Sequence, residues 1–146
     1  MKQRIIALMC VSLLLMGLMV FSGCSDDDDD PDLLNIIGTW LAVAGGYDII
    51  SPITISITAH TAAGAGGVVA TATPSGGDPA YIAGITVATD GAPGVENPRG
   101  ITIVITFSDG GVLTMTGTVS DNNNSMSGRY SNSQGFSDDW SANRQQ

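Results

Sequence analysis

Beyond Cys24 the chain contains no cysteine, and between Arg4 and Arg99 it contains no lysine or arginine. Lysine occurs only at position 2 and histidine only at position 60, and aromatic residues make up 5% of the whole. Each shortage excludes something. With no cysteine pair after Cys24, no disulfide can staple a domain, which must stand on packing alone. A single histidine without a companion cysteine leaves no His/Cys set for a metal and no thiol nucleophile. Three arginines beyond Cys24 face fourteen acidic residues, and so negative a surface repels nucleic acid. A nucleic-acid partner is therefore excluded. Helical periodicity is also missing from residue 33 onward, which argues against a bundle or a helical repeat.

What is present starts with Lys2 and Arg4, followed by an apolar run over 5–21 that only Ser12 and Gly17 interrupt. A positive start, an apolar stretch and small residues ahead of a cut are the three parts of an export signal. An uncleaved anchor is the alternative, but seventeen residues at about 1.5 Å each span roughly 25 Å, short of a core of about 30 Å. Phe21-Ser22-Gly23-Cys24 resembles the lipobox of bacterial lipoprotein signals. That resemblance implies a signal helix within 1–23, cleavage between Gly23 and Cys24, diacylglyceryl on the Cys24 sulfur and an acyl chain on the new N-terminus. The partner is then a membrane, held through lipid on Cys24, and more than one long chain makes the attachment lasting.

Ser25, the aspartates at 26–30 and Asp32 follow. Like charges this dense stay hydrated and repel, so 24–32 reads as an extended tether. Loose binding of a divalent cation by these carboxylates is a competing reading. The stretch also resembles acidic segments that help send lipoproteins to the cell surface, and Ser25 resembles the pattern released to the outer membrane. The expected address is the bacterial cell envelope, lipid-anchored at the outer membrane, on its periplasmic face or at the cell surface.

The third segment, 33–146, is expected to be one all-β domain, because 123 residues beyond the signal suffice for one modest core and not for two. Short alternating runs at 36–44, 49–59, 67–73, 80–89, 100–107, 112–119, 124–131 and 137–144 are separated by clusters of Gly, Pro, Asn and Asp. Alternation is cleanest where Ile101, Ile103, Ile105 and Phe107 share a face opposite Thr102 and Thr106, the mark of an antiparallel strand wet on one side. Pro52 places the start of the second strand after it, or a bulge near an edge. Eight sequential strands with short links predict an antiparallel up-and-down barrel, closed by pairing of the first strand with the last. An immunoglobulin-like sandwich is the alternative.

Gly38-Thr39-Trp40 on the first run resembles the Gly-x-Trp of the lipocalin and avidin superfamily. The resemblance implies an eight-stranded meander and an arginine near the last strand packing over that Trp, for which Arg144 is the matching position. Met126 through Arg129-Tyr130 and on to Trp140 resembles the last hairpin of small lipocalin-like bacterial lipoproteins. Trp40, Trp140 and Arg144 are then expected to pack at a barrel end, with both indoles covering the same one.

Catalytic signals are sparse. His60 is expected exposed at a strand end, and no Gly-x-Ser-x-Gly elbow supports a serine triad. Asp138 and Asp139 point to opposite faces of a strand and make a poor acid/base pair. Asp121 to Asn124 lacks the glycine and distal glutamate of a calcium loop and reads as a turn. No enzyme, metal or cofactor is expected, and the domain is expected to be monomeric. Two functions remain: a barrel holding a small apolar or amphipathic ligand at its open end, or a filled structural barrel whose loops meet another envelope protein. A cavity above about 300 Å³ distinguishes the first from the second.

Overall fold

Alternation of apolar and polar side chains runs through nearly every element of the protein. The computed structural model describes residues 33–46, 52–96 and 98–146, so the signal, Gly23, Cys24 and the acidic tether lie outside the described residues. The strands are β1 Gly38–Ala44, β2 Ile53–His60, β3 Val68–Pro74, β4 Ile82–Thr89, β5 Gly100–Phe107, β6 Val112–Val119, β7 Ser125–Asn132 and β8 Ser137–Arg144. Each lies within a few residues of the run that alternation picks out. The second begins at Ile53, directly after Pro52, whose missing N–H cannot join a ladder. Two 3-10 turns, Ala65–Gly67 and Pro79–Tyr81, are the helical pieces among the described residues.

All eight strands form one sheet in the order β3-β2-β1-β8-β7-β6-β5-β4, with every hydrogen-bonded pair antiparallel. The first strand pairs with the last, Ala42 lying opposite Ala142. This is an up-and-down barrel and not a sandwich, since β1 joins β2 and β8 within a single sheet. The barrel is nearly closed. Its one unpaired junction lies between β3 and β4, which pack side by side without a ladder. An open recess of about 250 Å³, lined by Ala70, Ala72, Ile82 and Gly84, marks that junction. Pro74 ends β3 without a donor, and the register of β4 shifts between Ile82 and Gly84, so both edges are irregular where they meet.

The inward faces carry Trp40, Ile53, Ile55, Ile57, Ile101, Ile103, Ile105, Leu113, Met115, Met126 and Trp140, all buried. Thr102 lies opposite Thr116 on the outer face. Burying a side chain such as Ile or Leu contributes about 1.5–3 kcal/mol, so this continuous apolar body supplies the main driving force for the fold.

Two bulges determine which residues enter that body. In β2 the odd-numbered residues 53, 55 and 57 face inward until the register shifts between Ile57 and Ala59. A one-residue shift exchanges the two faces, so His60 turns into the core. It is 5% exposed, not exposed as its place at a strand end predicts. The shift in β4 likewise lets Ile82, Ile85 and Val87 all pair with inward residues of β5.

The two indoles do not cover the same end. Trp40 lies opposite Arg144, whereas Trp140 lies opposite Ala44, four residues further along β1. At about 3.4 Å per residue that separates them by roughly 14 Å along the strand.

Candidate functional site

The ends of the barrel differ. Leu34 and Ile36, ahead of β1, tuck under one end and are fully buried. The Leu34 N–H donates to the Val95 carbonyl at 3.0 Å, and the Gly94 N–H donates back to the Leu34 carbonyl at 3.1 Å. Arg99, 7% exposed, runs into this layer. It donates to the carbonyls of Val119 at 3.1 Å and Ser120 at 2.6 Å, and to the Asn123 side-chain oxygen at 2.5 Å. Asn123 sits at φ 54°, a left-handed conformation that Asn tolerates. From there its amide donates to the Leu33 carbonyl at 2.6 Å, and its oxygen accepts the Asn35 N–H at 3.0 Å. Buried charge is costly unless its donors are matched, and these carbonyls match them.

Trp40 and Arg144 complete this closed end. The indole N–H donates to the Ile36 carbonyl at 2.9 Å. The Arg144 guanidinium carbon stands 4.9 Å from the Trp40 ring centroid, within cation–π range, and its Nη2 donates to the Asn35 carbonyl. The structure thus brings Trp40 and Arg144 together and places Trp140 elsewhere. His60 lies on the same closed side, its Nε2 3.0 Å from the Thr89 hydroxyl and 3.3 Å from the Gly91 carbonyl, with Nδ1 buried and unpartnered. Burial pushes its pKa below the ordinary value, while the bond to Gly91 opposes that shift.

The opposite end is open. The turns after β1, β5 and β7, the 3-10 turn ahead of β4, the ends of β5 and β7 and the start of β8 surround a cleft of about 390 Å³. Tyr81 and Phe107 stack in one wall, centroids 5.1 Å apart and planes 17° from parallel. Tyr130 forms part of another wall and anchors it by donating its hydroxyl to the Gly45 carbonyl. Phe136, in the β7–β8 turn, is 65% exposed, the most exposed large apolar side chain among the described residues.

Polar groups converge on the same cleft. Asp109 accepts the Tyr81 hydroxyl at 2.9 Å and the Gly111 N–H at 2.8 Å. The Gly111 N–H first, then the Tyr81 hydroxyl, hold its carboxyl below the usual carboxylate range. Asp138 shares the inward side of β8 with Trp140 and Ala142 and emerges at the mouth, its Oδ1 accepting the Asp139 N–H at 2.8 Å. Asn132 belongs to the wall as well. Its oxygen accepts the N–H groups of Gln134 and Phe136 at 3.0 and 2.9 Å, and its amide nitrogen is buried without an acceptor.

The sequence reading missed Tyr81, Asp109 and Phe136, because three separate turns bring them together. The parity of Asp138 with Trp140 and Ala142 was the available signal for a carboxylate on the inner face. Among the described residues no three His, Cys, Asp or Glu side chains cluster as metal ligands. An aromatic cleft with a few directed polar groups is suited to holding a small molecule. No protein-family model, curated protein or solved structure matches the chain.

Proposed function

We propose that this chain is a lipid-anchored protein of the bacterial cell envelope whose barrel binds a small amphipathic molecule at its open mouth, without catalysis. The observation that carries the reading is the cleft of about 390 Å³ with aromatic walls at one end of the barrel. Its volume lies within the range of about 300–1,000 Å³ usual for small-molecule sites. The lipocalin-like reading of Gly38-Thr39-Trp40 points the same way, since such barrels hold ligands at one end.

The closed end also suits an anchored protein. The described chain enters at Leu33, beside Asn123 and Val95 in the sealed layer. Residues 24–32 reach at most about 30 Å when extended, so a lipid on Cys24 would tie the closed end toward the membrane and leave the mouth facing away.

The continuous apolar core of the barrel favours a second reading, a structural lipoprotein whose loops contact another envelope component. Titration with N-phenyl-1-naphthylamine, a neutral dye that brightens in apolar sites, separates the two. A saturable one-site response that weakens in Phe136→Ala supports ligand binding, and no saturable response contradicts it. For the anchor, palmitate labelling should disappear in Cys24→Ser, and unchanged labelling would refute it.

A further inference from the structure

We infer that the ligand of the mouth is an organic ammonium ion, a protonated or quaternary amine carried on a flat apolar body. This rests on the reading of the mouth as a ligand site and specifies the chemistry of what enters it.

Charge is distributed unevenly over the barrel. Among the described residues, the ionisable acids of the cleft wall are Asp109 in the β5–β6 turn and Asp138 at the start of β8, and the wall contains no Lys, Arg or His. Cations among the described residues are placed away from it. Arg99 and Arg144 belong to the sealed end, and Arg129 sits exposed on the outer face of β7, opposite Asp139. An anion entering the mouth would meet two carboxylates and no compensating positive charge. A neutral apolar molecule gains the aromatic walls but gives the carboxylates no new partner, so it binds more weakly than a cation on the same ring. A cation gains from both.

The carboxylates are prepared for this. Asp109 is oriented by the Tyr81 hydroxyl and the Gly111 N–H, which fix its plane and favour its ionised form. An ionised carboxylate offers about four acceptor sites, so two bonds leave capacity for a donor from a ligand. Asp138 stands on a different wall, separated from the β5–β6 turn by β7 in the sheet order. The aromatic groups supply the other half of the recognition. Tyr81, Phe107, Tyr130 and Phe136 all line the cleft. Ring faces attract ammonium groups and stack on flat apolar bodies. A bare metal ion would leave these rings unused, since hard cations require six to eight oxygen ligands.

Three molecules with one ring system and different charge test this on the full chain by calorimetry near neutral pH: tryptamine, its alcohol tryptophol and indole-3-acetate. Tryptamine should bind about tenfold or more tighter than tryptophol, the size expected of hydrogen bonds to a charged group, and indole-3-acetate more weakly than either. Asp109→Asn and Asp138→Asn should each reduce tryptamine affinity by about threefold or more and leave tryptophol unchanged. Asp139→Asn, on the outer side of the same strand, should change neither. Equal affinity for tryptamine and tryptophol, tighter binding of indole-3-acetate, or a preference indifferent to both inward aspartates overturns the ammonium assignment. If N-phenyl-1-naphthylamine still binds in that case, the mouth remains a ligand site. If neither the dye nor any indole binds, the site itself falls with it.

Discussion

The indole N–H of Trp140 donates to the carbonyl of Thr116 at 3.0 Å, crossing β7 at a position where that strand has no side chain. Gly128 lies opposite Trp140 on one side and opposite Gly117 on the other. A Cβ on Gly128 would fall 1.9 Å from that same Thr116 carbonyl, and one on Gly117 would fall 2.0 Å from the Ser127 carbonyl. The glycine pair is therefore the seat of the indole.

Gly128→Ala should destabilise the domain by about 1–3 kcal/mol, the usual cost of overpacking a core, because both carbonyl and indole must move. Urea denaturation followed by tryptophan fluorescence measures it. Gly66→Ala, where an added methyl meets nothing within 4 Å, is the control and should stay close to wild type.

At the sealed end, Arg144→Met removes the cation over Trp40 and the hydrogen bond to the Asn35 carbonyl while keeping much of the side-chain volume. The expected loss is about 1–3 kcal/mol, combining a cation–π contact with a charged hydrogen bond. Arg144→Lys should recover only part of it, because an ammonium cannot both stack flat on the indole and reach the carbonyl. Trp40→Ala should cost more, about 3–5 kcal/mol. Wild-type stability in Arg144→Met would show that Arg144 only decorates the surface.

The strands were legible because Ile101, Ile103, Ile105 and Phe107 alternate with Thr and Val strictly enough to declare both face and length. Pairing of β1 with β8 followed from edge avoidance. The position of the gap did not follow, because a bulge in β4 and Pro74 at the end of β3 act only once the strands are neighbours. Its position at a strand end predicts an exposed His60, whereas the bulge between Ile57 and Ala59, which no residue type announces, turns it inward. Arg99 was visible only as a charge, since its partners at 119, 120 and 123 are backbone carbonyls or a turn amide that only folding brings near. The mouth was hidden for the same reason: Tyr81, Asp109, Phe136 and Asp138 come from distant stretches.

His60 gives the domain a dependence on acid. Its folded pKa lies below its unfolded value, so the unfolded chain binds the proton more readily. Stability should be full above about pH 7.5, fall as pH drops through the unfolded value of about 6.5, and level off below the folded pKa. Protonation would add an N–H at Nδ1, which has no acceptor in its buried setting. Denaturation midpoints between pH 7.5 and 5 should slope in the wild type and flatten in His60→Gln. A slope that survives in His60→Gln would assign the dependence to another group.

Amide chemical-shift mapping of the full chain during titration with N-phenyl-1-naphthylamine tests the central claim most directly, namely that the barrel is sealed at one end and receives a ligand at the other. Shifts should concentrate at Tyr81, Asp109, Gly111, Asn132, Phe136 and Asp138, the wall of the cleft. Amides of the sealed layer, Leu34, Arg99 and Asn123, should stay where they are. Shifts centred on that sealed layer, on the β3–β4 junction at Ala70 and Gly84, or nowhere at all would contradict it.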